Sequence, residues 1–338
     1  MNSIERVMAA YHGKPQSRPP YTLILSLYGA RLIKANLHQY YRSPQIYLDG
    51  QKAVLDKFEP DLLFTPFALA LEAEAFGSQL AFIPDDAPVI RKPAVNTPED
   101  FLEKFTPDLQ NSPGILYMRE SARLLAQECN GKVPVCGVIT SPVDLPLLIM
   151  GMDKWIETIL FFPSKAREVL QMCSRHFVSL ANSMFQDGIN FIGITTALTN
   201  PKIFFQKQID EIIMPALTDS LEKLNGPIVF HHGGSQILPL LPQYLKLPNL
   251  AAFVIDQRDS FASVREILGP NRLLLGNLFG PGLSRTPENI VIKNVEQILE
   301  DRKDDPFFIF CTSGPDVPIY TPPETIKAII DTIQAVHK

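Results

Sequence analysis

Only four cysteines occur in 338 residues, and Cys129, Cys136, Cys173 and Cys311 have no paired spacing. That scatter excludes a disulfide framework and suits reduced thiols in a cytosol. No lysine- or arginine-rich run occurs and the net charge is −5, so no nucleic-acid surface is expected. Residues 1–6 carry Glu5 and Arg6 with no apolar core behind them, so no secretory signal is expected. The greasiest stretches, residues 61–71 and 145–152, are too short to cross a bilayer and contain prolines. A cytoplasmic protein with no membrane contact is the expectation. No glycine-rich dinucleotide fingerprint follows any apolar run. Neither a linker nor a low-complexity segment divides the chain, so residues 1–338 are expected to form one domain.

What the chain does have is alternation. Short apolar, β-branched runs recur at residues 21–27, 61–66, 133–140, 190–196, 227–232, 251–256, 272–278 and 307–312. They lack polar alternation, as parallel strands buried on both faces do. Helical patterns separate them, punctuated by Thr97-Pro98, Thr286-Pro287 and Thr321-Pro322, each a hydroxyl before a proline suited to the first turn. Glu324, three residues after Thr321, predicts a capping box, and Ile326, Ile329, Ile330 and Ile333 share one face of the last helix. Gly188 and Gly226 sit where helices should stop. Eight strand–helix units imply an α/β fold, a single (β/α)8 TIM barrel. Residues 1–20 and 29–58 read as extra N-terminal helices. Residues 67–130 read as an insertion with an extended piece near 81–90, which together with 1–20 forms a decorating or lid segment or the contact of a homodimer.

In such a barrel the loops after the strands make the site. His231 and His232 end the fifth run and enter Gly233-Gly234, where the backbone turns tightly. Alternation along a strand predicts that one of the two faces the mouth. Asp256 ends the sixth run and Asn277 the seventh; Asp61 lies near the end of the second and Ser141 just after the third. Cys311, in the eighth, is placed to meet a histidine and a carboxylate around a zinc ion with an open position. Glu72 and Glu74 fall in a helical stretch and are read as solvated or structural.

Several segments together resemble one family. Met184-Phe-Gln-Asp-Gly-Ile-Asn190, Leu275-Gly276-Asn277-Leu278 and Thr321-Pro322-Pro323-Glu324 resemble segments of uroporphyrinogen decarboxylase and of the methylcobamide:coenzyme M methyltransferases. Asp61-Leu-Leu-Phe-Thr-Pro66 and Leu71-Glu-Ala-Glu-Ala-Phe-Gly77 resemble the methyltransferase branch most. The resemblance implies the barrel. It also implies an arginine-rich amino-terminal motif in a true decarboxylase, where this chain has Arg31 alone in Leu25–Arg31. A polycarboxylate substrate needs several fixed cations, because unpaired carboxylates are costly to desolvate. In the methyltransferase branch the resemblance implies a zinc site of His-x-Cys and a later cysteine. His231 matches the histidine, but Gly233 and Pro315 stand at the cysteine positions and Cys311 falls four residues early. Soft thiolates suit activation of a thiol, so their loss argues against coenzyme M as acceptor. The resemblance then implies methyl transfer between a small methylated donor, such as a methyl ether or methylamine, and a corrinoid (cobalamin) on a carrier protein. His231, His232 and Asp256 are the expected catalytic residues, Asp61, Asn277 and Ser141 the substrate-binding ones, and His231 and Cys311 the metal ligands. A decarboxylase-like lyase, or a barrel that only binds a tetrapyrrole or corrinoid, is the alternative.

Overall fold

A computed structural model describes residues 1–104, 111–197 and 201–336 of the chain. Eight parallel strands form one sheet: β1 (Tyr21–Thr22), β2 (Leu63–Phe64), β3 (Val135–Thr140), β4 (Phe191–Thr195), β5 (Ile228–His231), β6 (Leu250–Val254), β7 (Leu273–Phe279) and β8 (Phe308–Ser313). The hydrogen-bonded order runs β1-β8-β7-β6-β5-β4-β3-β2. The seam between β1 and β2 is closed by the Asp61 N–H donating to the Tyr21 carbonyl at 2.8 Å and by Thr22 Oγ1 donating to the Leu62 carbonyl at 2.9 Å. The fold is a nearly closed (β/α)8 barrel, as the alternation of the sequence implies.

Two apolar layers hold it. Inside, side chains such as Leu62, Val138, Val254, Leu275 and Ile309 fill the barrel; outside, the strands pack on helices through Ile192, Ile194, Phe230, Phe253, Leu274 and Phe310. The outer and inner sets alternate along each strand, the period of two expected of a pleated strand. This burial is why the strands read as unbroken apolar runs.

The amino-terminal part carries α1 (Ser3–Tyr11), capped by Asn2 in a capping box with Glu5, and α2 (Pro44–Phe58), capped by Ser43. The insertion contains an antiparallel hairpin, Gln79–Ala81 with Val89–Lys92, where an extended piece is expected, and α3 (Pro113–Cys129). Residues 105–110 of that insertion lie outside the described residues. The longest helix, α4 (Pro163–Gln186), ends before Gly188, whose φ of +100° is open to glycine and strained for other residues.

Thr97 caps as expected, its Oγ1 accepting the Asp100 N–H at 3.1 Å. The other two hydroxyls do not. Thr286 Oγ1 donates back to the Gly282 carbonyl, and the helix Glu288–Asp301 starts beyond Pro287. The last helix, Pro323–Ala335, starts two residues after Thr321 and has no side-chain cap, so no capping box forms at Glu324. In both cases the proline sits at the cap itself, one place earlier than the helix start it was expected to fill. Among the described residues no helix is long and apolar enough to cross a membrane.

Candidate functional site at the carboxyl ends of the strands

β5 ends at His231, and Gly233 and Gly234 follow with φ of +62° and +84°. The chain therefore leaves strand geometry immediately after His231, and alternation no longer governs His232. Both imidazoles lie on the same side, stacked with centroids 4.4 Å apart and planes 26° from parallel. The expectation that one of the pair turns away is corrected by this turn. Both rings are buried, at 7% and 4% exposure.

Their partner is Gly314, in the loop that leaves β8. His231 Nε2 lies 3.1 Å from the Gly314 carbonyl oxygen, and the Gly314 N–H donates to His232 Nε2 at 3.0 Å. The Gly233 N–H donates to His231 Nδ1 at 3.1 Å, so a neutral His231 carries its proton on Nε2 and donates it to Gly314. A neutral His232 that accepts at Nε2 carries its proton on Nδ1, which lies 3.1 Å from Asp256 Oδ2; the Gly234 N–H also approaches that nitrogen, at 3.0 Å. Burial, followed by the neighbouring His232, pushes the His231 pKa down from 6.5 to about 3. Burial lowers His232 as well, against the opposing pull of Asp256. Both rings are neutral at pH 7.

Asp256, just past β6, is held by Arg258. Oδ1 accepts from the Arg258 backbone N–H at 2.9 Å and from Nε at 2.5 Å, and Oδ2 accepts from a guanidinium NH2 at 3.0 Å. Burial raises the carboxyl pKa, but these bonds to Arg258 outweigh it and the net shift is downward. The same guanidinium reaches the Gly234 carbonyl at 2.9 Å, tying the loops after β5 and β6 together. Asn277 donates from Nδ2 to the carbonyls of Asp256 and Asp259 at 3.2 and 3.3 Å. Asp259 in turn accepts the Ile237 N–H at 2.9 Å. The phenyl ring of Phe67, after β2, meets His231 edge-on at 6.0 Å.

The structure thus brings His231, His232, Asp256 and Asn277 together at the mouth. Three expected residues are placed elsewhere. Asp61 precedes β2 and sits at the amino-terminal end of the barrel, where it accepts from Arg6 (3.0 Å), Arg18 (2.6 Å), Ser3 and the Tyr21 N–H. Its expected substrate role is replaced by a structural one, because the pairing of β2 begins two residues later than the apolar run suggests. Ser141 is on the correct side but fully buried, with Oγ accepting the Asp144 N–H at 3.3 Å within a turn.

Cys311 packs inside the barrel in the apolar cluster that includes Cys136, Ile309 and Val254, and burial raises its thiol pKa well above 9. Gly314, not Cys311, is the β8 group that meets the histidines. Among the described residues no group of three or more His, Cys, Asp or Glu side chains converges to hold a metal ion. The expected His231–Cys311 zinc centre therefore does not fit this chain, and no step is assigned to a metal.

Four groups at the mouth are not among the expected site residues: Arg258, Asp259, Asp144 and Gly314. Asp144 joins two loops at the mouth, accepting the Ala197 N–H at 2.6 Å. The one visible signal was the charged cluster Asp256-Gln-Arg-Asp259 directly after an apolar strand. Glu72 is not solvated. It is fully buried, accepts the Thr140 N–H and lies 3.2 Å from His176 Nε2. Glu74 pairs bidentately with Arg42.

The comparisons with known proteins agree with this architecture. A uroporphyrinogen decarboxylase from Trichlorobacter lovleyi is 23% identical over 344 residues, covering 97% of each chain. One from Geobacter metallireducens is 22% identical and covers 98% of each. Among solved structures, a methyltransferase from Methanosarcina mazei superposes with a TM-score of 0.86 at 18% identity, over 100% of both chains. A putative vitamin-B12 independent methionine synthase from Listeria monocytogenes follows the same fold more loosely, with a TM-score of 0.54 at 13% identity. The family model described as uroporphyrinogen decarboxylase (URO-D) matches residues 2–336, so the chain belongs to the uroporphyrinogen decarboxylase family, a family of enzymes.

Proposed function

We propose that this chain is a corrinoid-dependent methyltransferase, which moves a methyl group from a small methylated donor, such as a methyl ether or methylamine, to a cobalamin on a carrier protein in the cytoplasm. The observation that carries this reading is the buried histidine pair at the mouth with its neutral N–H on His231. Breaking a methyl–oxygen bond leaves negative charge on the departing oxygen, and a hydrogen-bond donor fixed in a dry site stabilises it. A neutral imidazole N–H can do this, as it does in triosephosphate isomerase. His231 donates to the leaving oxygen in exchange for the Gly314 carbonyl. His232, Asp256 and Arg258 fix the neighbouring ring, and Asn277 fixes the loop that bears Asp256. The fold likeness to a methyltransferase from Methanosarcina mazei is compatible with this and, at 18% identity, speaks to fold alone.

The rival reading is a decarboxylase-like lyase, favoured by the names of the sequence relatives. The arginines near the mouth argue against a polycarboxylate. Arg31 is bound to the carbonyls of Ile319 and Thr321, Arg42 to Glu74, and Arg258 to Asp256. Arg42 and Arg258 are already paired with carboxylates that a substrate would have to displace, which leaves Arg31 alone without an anionic partner among the three, too few cations for a polycarboxylate.

The two readings separate in one experiment. The purified protein is incubated with uroporphyrinogen or small carboxylic acids to follow carbon dioxide, and with methoxyaromatics, methylamines and methyl thiols to follow loss of cob(I)alamin. Cob(I)alamin consumption with a methyl donor supports the proposal. Carbon dioxide release without it replaces the proposal by the lyase.

A further inference from the structure

At the opposite end of the barrel from the histidines lies a cavity of about 280 Å³. Its floor is the barrel interior, including Val229, Ala252, Leu275 and Ile309, and its cover is α1 through Ile4 and Val7. Small-molecule pockets begin at about 300 Å³, so this is the volume of a modest ligand. The sequence explains why the space exists. Barrel interiors are normally filled by bulky branched side chains. Here Ala252 on β6, in register with Val229 on β5, offers only a methyl group to the space.

The lining decides what the cavity can hold. No Asp, Glu, Lys, Arg or His side chain contributes to it. Asn190, one of the few polar groups present, is engaged, its Oδ1 accepting the Val135 N–H at 2.8 Å. A water needs two to four polar partners, and this lining offers few, so an apolar ligand gains by displacing water from it. A charged ligand would enter without a counter-charge. Access is at the rim of α1, where Met8 and Tyr11 are 46% and 44% exposed and also line the space.

We infer that the amino-terminal end of this barrel is a second binding site, separate from the mouth, for an uncharged apolar ligand of one or two aromatic rings. Its specificity is by volume and apolarity alone. It does not depend on the methyltransferase reading.

The test uses toluene as the probe and benzoate as its charged counterpart, with binding followed by calorimetry and by the thermal unfolding midpoint of the full chain. Toluene is expected to bind saturably and to raise the midpoint by a few degrees, and benzoate to do neither. Ala252→Leu takes up part of the cavity from β6 and is expected to weaken toluene binding severalfold. Ala252→Val, a smaller addition, serves if the leucine variant does not fold, and is expected to weaken it less. No saturable toluene binding by the natural chain, equal binding of benzoate, or undiminished binding by both narrowed variants would each overturn the inference.

Discussion

His231 and His232 hold the two main-chain polar groups of a single residue: one ring donates to the Gly314 carbonyl and the other accepts the Gly314 N–H, at 3.1 and 3.0 Å. Through that residue the loops after β5 and β8, which are not neighbours in the sheet, are locked across the mouth. The clamp requires glycine. Gly314 has φ of +90°, and a Cβ there would stand 2.9 Å from the ring carbons of Pro281. Gly314→Ala is expected to cost about 1–3 kcal/mol from the backbone alone, measured by urea unfolding. Unchanged stability would mean that the loop is not held in this conformation.

Protonation supplies a second expectation. The folded pKa of His231, about 3, lies below the 6.5 of the free side chain. The unfolded chain therefore binds the extra proton first as pH falls, and this contribution to stability, full above about 6.5, is lost progressively down to about 3. Its slope reaches at most about 1.4 kcal/mol per pH unit. His231→Gln should flatten the stability–pH curve in that window, and an identical slope in the variant would contradict the neutral, buried ring.

Asp256 faces both His232 and Arg258. Asp256→Asn removes the carboxylate that favours the charged imidazole, so the His232 pKa should fall further, read from its ring resonances by NMR titration. Stability should drop by about 1–3 kcal/mol, since Asp256 is buried while half of the Arg258 side chain can rehydrate. An upward shift of His232 would show that the two side chains do not interact.

Asp61 provides the contrast. Its carboxylate is 1% exposed and bound to both Arg6 and Arg18. Asp61→Ala should lower stability by about 3–5 kcal/mol, because two cations lose their partner, while KM for any substrate at the mouth stays unchanged. A raised KM at undiminished stability would return Asp61 to the site.

How much of this was legible in the sequence follows from which interactions are local. The strands were visible because burial on both faces leaves only apolar residues, as in Ala251–Val254 of β6. Their exact ends were not, because pairing with a neighbour sets them. Asp61 was misplaced when a six-residue apolar run became a two-residue ladder, Leu63–Phe64. The histidine doublet was found from Gly233-Gly234, yet the rule of alternation failed at His232 because the strand had already ended. Cys311 carried the right residue type in the right strand, but it packs in the apolar interior beside Cys136. Arg258 was marked only by the charged cluster after β6, and Gly314 acts across loops distant in sequence, so nothing local marked it.

The central claim is that the His231 N–H assists departure of the methyl donor's oxygen. The most direct measurement is the rate of cob(I)alamin consumption with a methoxyaromatic donor, comparing the natural chain with His231→Phe at matched folded concentration. The account predicts a kcat lower by about 10²–10³-fold with a small change in KM, the size of losing one donor to a developing oxyanion. An undiminished kcat in the phenylalanine variant would contradict it.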